Sequence, residues 1–243
     1  MALLIVMGRP MKAWTESGSP SDGPCRSLSY SIFWNGVPAG KADVHCARSE
    51  GRTVVTLTGR TEALMDAFYP VTFDAESLLV ADGLAAQRYR EKTREGRGKE
   101  KTELLVFGDV KTAGQEGTIT VDVFKNGRLR RTLHVPQGTL DPLGAVHRFL
   151  GASENQGPFF VTDGRRVFEV RTIPGRREEL ATPLGRRSVQ LWNVAVTVVM
   201  GKPHVLERAA VQVWTLADNP SAIWKATVAL PYGRFSTQMA DAG

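Results

Sequence analysis

Few residues of this chain are of a type and spacing that could do chemistry. Its four histidines, His45, His134, His147 and His204, each stand without a second histidine or a cysteine at metal-ligand spacing. His147, beside Arg148, reads as a helix-face residue. Gly96-x-Gly98-Lys99 is too short for a phosphate loop: it lacks the glycine five residues before Gly98 and a Ser or Thr after Lys99. There is no G-x-S-x-G elbow, and neither cysteine has a histidine placed in sequence to orient a thiolate. Asp163-Gly164 and Asp218-Asn219-Pro220 have the composition of acidic turns rather than of metal or general-acid sites. The expectation is a protein that is not an enzyme, with no catalytic residue, metal or cofactor.

The two cysteines can still be oxidised. They bracket the stretch CRSLSYSIFWNGVPAGKADVHC (25–46), with Asn35-Gly36 at its middle. Asn-Gly between strand-like runs predicts a β-hairpin, because both residues tolerate the positive φ of a two-residue type I′ turn. Upstream, Leu28, Tyr30, Ile32 and Trp34 alternate with Ser27, Ser29 and Ser31, the period of a strand with one covered face. The turn sets Trp34 against Val37 and, carried outward, Cys25 against Cys46. They would form a non-hydrogen-bonded pair, whose α-carbons approach to roughly 4.5 Å, within disulfide reach. That register leaves Ala42, Val44 and Cys46 on the wrong face. A bulge near Gly40 would align the apolar sets and slip the cysteines by one residue. The pair reads either as a disulfide formed in an oxidising compartment or as two buried thiols.

The elements that must position any site are mostly strands. With 243 residues, 26.6 kDa and 42% apolar content, the chain can bury a large core. Its 24 glycines and 13 prolines are spread along it, which suits short strands and turns better than a helical bundle. No internal repeat or long polar linker divides it, so residues 26–240 are expected to form one domain. Residues 1–25 read as a flexible lead-in or signal remnant: MALLIVMG is apolar but lacks a charged leader and a cleavage site.

Along the chain, RTVVTLTGR (52–60) is a strand, and TEALMDAFYPV (61–71) a helical turn or bent strand limited by Pro70. Residues 84–107 and 117–135 read as hairpins, the second turning at Asn126-Gly127. DPLGAVHRFLG (141–151) predicts the one helix, over 141–150. Asp141 is its N-cap, Pro142 its first residue, Gly151 its stop, and Leu143, Val146 and Leu150 its apolar stripe. Further strands are expected at GPFFVTD, RRVFEVRTI, 186–200, 209–216 and 221–239. The fold class is mainly β: a single large antiparallel sheet of about ten strands, curled into an open or closed barrel.

A net charge of +6 and a pI near 9.5 rest on a cluster from Arg88 to Lys101 and on the doublets Arg130-Arg131, Arg165-Arg166, Arg176-Arg177 and Arg186-Arg187. Glutamates interrupt the cluster, and Tyr89 is its only aromatic, so nucleic acid is not an expected partner. Solvated edges and tips account for the charge, and an anionic membrane surface or an envelope protein is the alternative partner. Inside such a barrel, Tyr30, Ile32, Trp34, Trp192, Val194, Trp214 and Trp224 are either core or the lining of a site for an apolar or lipidic ligand.

The segments LSYSIFWNGVPAGKADV (28–44), DPLGAVHRFL (141–150), FFVTDGRRVFEVRT (159–172) and VQVWTLADNPSAIWKATVALPYGRF (211–235) resemble, in this order, a bacterial family. It is known only as domain of unknown function 3108, and its members are typically exported. The resemblance spans most of residues 27–239, and Trp224 stands where the family pattern has a proline. It implies a β-rich protein of the periplasm or cell envelope and no particular activity. More distantly, the closing tryptophan strand, acidic turn and returning strand resemble periplasmic lipoprotein carriers, open half-barrels that shield acyl chains. The functional expectation is a non-catalytic envelope protein that binds an apolar or lipidic ligand. The alternative is an envelope scaffold with a solid core whose basic loops meet a partner or membrane.

Overall fold

The structure is a computed structural model that describes residues 27–80, 85–108, 117–150, 157–182, 185–217 and 222–241. The expected lead-in 1–25, and Cys25 with it, lies outside the described residues.

Fourteen strands make one sheet. In chain order they are β1 (Leu28–Trp34), β2 (Val37–Ser49), β3 (Arg52–Thr61), β4 (Val71–Val80), β5 (Ala85–Glu95), β6 (Lys101–Phe107), β7 (Thr118–Lys125) and β8 (Arg128–Pro136), followed by β9 (Phe159–Thr162), β10 (Val167–Thr182), β11 (Gly185–Met200), β12 (Ala210–Leu216), β13 (Ile223–Leu230) and β14 (Gly233–Asp241). Helix α1 (Ala63–Phe68) joins β3 to β4, and α2 (Pro142–Leu150) lies between β8 and β9. The strand order is β8 to β1, then β14 to β9, so β8 and β9 are the two edges. Every pairing is antiparallel, so all odd-numbered strands run toward the same end of the barrel.

Two local misreadings account for most of the difference from about ten strands. VTFDAESLLV after Pro70 is a full strand, β4. Its inward residues Val71, Phe73, Ala75, Ser77 and Leu79 alternate with exposed or half-buried ones. Segment 221–239 folds back at Pro231-Tyr232 into β13 and β14. Asn35 and Asn126 do turn with positive φ beside Gly36 and Gly127, as a type I′ loop requires.

In the first hairpin Trp34 pairs with Val37 and Phe33 with Pro38, but Ile32 pairs with Gly40. Ala39 is the inserted residue, and its carbonyl accepts from the Glu62 N–H at 3.1 Å. Beyond it Tyr30 faces Ala42 and Leu28 faces Val44, so both apolar sets share the covered face. Beyond Ala39 the register counted from the turn therefore gives way to one shifted by a residue.

The sheet is nearly closed. Its edges do not pair with each other; instead the chain after β8 bridges them. Leu140 donates its N–H to Phe160 and accepts from the N–H of Thr162, at 2.9 and 2.8 Å. The β9–β10 turn tucks against the inner face of β6 and β7, where a Cβ built on Gly164 would stand 2.6 Å from Leu105 Cδ2 and 3.3 Å from Val123 Cγ1. Leu79, Leu105, Val121, Val135 and Leu140, almost fully buried, fill this side of the interior and contribute roughly 1.5–3 kcal/mol each.

Gly164 has φ of 76° and no room for a side chain, whereas Gly36 has φ of 83° and nothing within 4 Å. Gly164→Ala is expected to cost about 2–4 kcal/mol, strain plus overpacking, and Gly36→Ala about 1 kcal/mol, strain alone. Urea unfolding of both variants checks this; equal losses would contradict the tucked edge.

Candidate functional site

The site begins with the seating of α2. Asp141 is fully buried, and its Oδ1 accepts the N–H groups of Leu143 and Gly144, both at 2.9 Å. Its Oδ2 accepts the Ser77 hydroxyl of β4 at 2.7 Å. Burial pushes its carboxyl up to about 6, against these hydrogen bonds, which pull it down. The cap thus fixes both the start of the helix and its position on the sheet.

So anchored, α2 carries two apolar faces. Leu143, Gly144, His147 and Leu150 are buried, with Gly144 against Leu79, where a Cβ would come within 3.0 Å. Burial, then the charge of Arg48, holds the imidazole of His147 below its usual range. The single stripe expected from the sequence is split, because Val146 turns away from Leu143 and Leu150. With Pro142, Ala145 and Phe149 it roofs a cavity of about 300 Å³.

The opposite wall is a ladder of cross-strand neighbours. Thr172, Val194, Val211, Val228 and Phe235 pair in succession across β10 to β14, and the next residue in the row is Trp34 of β1. All but Trp34 line the cavity. Since alternate residues share a face, Val196 and Val213 join them from neighbouring rows, and Phe168 and Val170 complete the wall.

One pole is polar. Glu91 of β5 and Glu103 of β6 are direct cross-strand partners, and both face inward. The Tyr89 hydroxyl donates to Glu91 at 2.9 Å, and the Arg165 guanidinium lies 3.6 Å from Glu103. Burial, with a smaller push from Glu103, holds the Glu91 carboxyl above its usual range although Tyr89 pulls it down. Burial likewise raises the Tyr89 phenol. His204 closes this side, edge-on to Phe168 at 5.8 Å, its imidazole lowered by burial and then by Arg166. Among the described residues, no three His, Cys, Asp or Glu gather as a metal site.

Of the residues expected to line a site, Val194 does so directly. Trp192 is its strand neighbour, meets Phe149 edge-on at 6.0 Å and donates its ring N–H to Thr215 Oγ1 at 3.1 Å. Trp34 stacks on Phe235 at 6.5 Å. Ile32, Tyr30 and Trp224 are buried in the core. Trp214 donates to Glu178 at 2.7 Å, outside the cavity lining. Cys46 is disulfide-bonded; Cys25, the one other cysteine of the sequence, lies outside the described residues. The sequence reading missed Phe149 and the Glu91–Glu103 pair. Period-two alternation carried the second signal: Tyr89 and Glu91 fall on one face of β5, and Arg88, Arg90 and Arg94 on the other.

Residues 29–237 match the family described as "Protein of unknown function (DUF3108)", and the chain belongs to it. Among curated proteins none matches. A solved β-barrel-like protein of domain of unknown function DUF1849, from Brucella abortus, superposes with a TM-score of 0.59 and 14% identity, over 88% of this chain and 95% of that one. A Bacteroides fragilis protein with a YmcC-like fold gives a TM-score of 0.38 and 8% identity, over 90% and 95%. The first likeness is one of fold.

Asp141 supplies a pH test of the helix seat. In the folded protein it holds its proton up to about pH 6, whereas in the unfolded chain it loses it near 3.8. Its contribution to stability is therefore greatest below about pH 4 and falls through the interval up to 6. Asp141→Asn keeps an acceptor for the two N–H groups and does not titrate. Between pH 4 and pH 7 its stability should gain about 2–3 kcal/mol on wild type. Parallel pH profiles would show that this carboxyl is not desolvated.

Proposed function

We propose that this family member binds an apolar or lipidic ligand in its barrel interior without transforming it, and works in an oxidising compartment of the cell envelope. The observation that supports binding is the cavity itself. It is bounded by α2 on one side and the β10–β14 ladder on the other, and apolar side chains, valines and phenylalanines chief among them, make up most of its wall. Its volume of about 300 Å³ falls at the lower end of small-molecule sites. An interior that existed only as a scaffold would be expected to fill this space with side chains, which favours the binding reading over the solid-core one. The disulfide at Cys46 supports the compartment, because such bonds persist where thiols are not kept reduced.

The neutral fluorophore N-phenyl-1-naphthylamine should bind the protein with enhanced emission. Val213→Trp, which extends a buried wall residue into the cavity, should weaken it by about tenfold or more, equivalent to ~1.4 kcal/mol. Unchanged affinity in a folded Val213→Trp protein would move the site elsewhere. For the compartment, the intact mass of protein from its native host should rise by two hydrogens under reductant; an unchanged mass would contradict maturation in an oxidising environment.

A further inference from the structure

We infer that the end of the barrel where the odd-numbered strands terminate is a docking surface for an anionic lipid bilayer. This goes beyond ligand binding and stands whether or not the cavity is filled.

Because every pairing is antiparallel, seven connections gather at that end: Asn35-Gly36, the α1 segment, 96–100, Asn126-Gly127, 163–166, 201–209 and Pro231-Tyr232. Lateral hydrogen bonds join them into a rim. Asn35 N–H donates to the Arg234 carbonyl at 2.8 Å, Gly96 N–H to Pro70 at 2.7 Å, Asn126 N–H to Thr102 at 2.8 Å, and Arg166 Nε to Lys202 at 3.0 Å.

The rim concentrates exposed apolar surface. Among the described residues, the large hydrophobic side chains that stand exposed all lie here apart from Val106 and Ile173. Phe68 is 77% exposed and Tyr232 52%; Tyr69 stands beside Phe68, and Trp34, Leu129 and Met200 stand on three further segments. Interior positions of a folded chain normally claim such residues, and their concentration at one end of the barrel marks an interaction surface.

Charge selects the occupant. Arg97, Lys99, Arg128, Lys202, Arg208 and Arg234 are distributed around the same circle and make no ion pair with a carboxylate among the described residues. Aromatic side chains interleaved with Arg and Lys around a ring match a lipid interface. The rings sit at headgroup depth, and the cations meet anionic lipids. His204, Leu206, Leu230 and Tyr232 belong to this end and also line the cavity, so a docked bilayer would face the cavity's own wall.

Co-flotation of the full chain with vesicles tests the surface. Wild type should bind phosphatidylglycerol–phosphatidylcholine vesicles and bind phosphatidylcholine alone at least about tenfold more weakly. Arg97→Glu with Lys99→Glu, on the rim, should lose about tenfold or more in binding. Arg52→Glu with Arg186→Glu, the same charge change at the opposite end, should stay within about twofold. Phe68→Ser should reduce the binding that survives high salt. Failure of wild type to bind anionic vesicles, or equal losses in the two charge-reversed pairs, would overturn the assignment. A protein that binds vesicles but no fluorophore would leave the rim standing and refute the cavity reading alone.

Discussion

A fourteen-stranded sheet curled on itself has more inner surface than its own side chains cover, and in this protein one buried hydrogen bond settles how the remainder is closed. Ser77 on β4 donates to Asp141, and Asp141 in turn holds the first two free N–H groups of α2. The polar atoms are satisfied in a dry place, which is the condition for burying a carboxyl at all. A nine-residue helix is too short to be stable alone. Its position therefore follows from this contact and from Gly144, whose missing side chain lets it lie on Leu79. With one face committed to the core, the other necessarily roofs the space beneath it.

That geometry divides the interior into two halves with different character. Toward β3–β8, leucines and valines interlock and the β9–β10 turn is pressed in at Gly164, so the barrel is solid. Toward β10–β14 the ladder carries mostly valines, too small to reach α2, and the space between persists as a cavity. The carboxylates of Glu91 and Glu103 stand at the boundary, half-screened by Tyr89 and Arg165. An apolar molecule would lie along the valine wall, and any polar end it had would meet this pole.

Much of the sheet was legible in the sequence. The Asn-Gly turns, the alternation of Leu28, Tyr30 and Ile32, and the Asp141-Pro142 start of the helix each depend on contacts within a few residues, and each reads correctly. What escaped depends on contacts distant in the chain. Strand β4 follows Pro70 and the short helix α1 directly, and the sequence reading missed it although Asp82-Gly83 stands just beyond its far end. The hairpin at Pro231-Tyr232 lacks an Asn-Gly pair, and the fate of Val146 is decided by which side of α2 meets Leu79. The cavity lining was the hardest part to see. Tryptophan drew attention as the largest apolar side chain, yet Trp224 is core and Trp214 faces Glu178. Valines that look like ordinary strand residues line the space because the helix stands off from them.

The central claim is that the half of the barrel beneath α2 is hollow and available to an apolar guest. A crystal structure of the protein under xenon pressure tests it most directly, since xenon enters dry, apolar cavities. The account predicts a xenon peak between Phe149 and the Val194–Val211–Val228 row, with the surrounding side chains unmoved. A site without xenon, filled instead by Phe149 and Phe168 packed against that row, would contradict it.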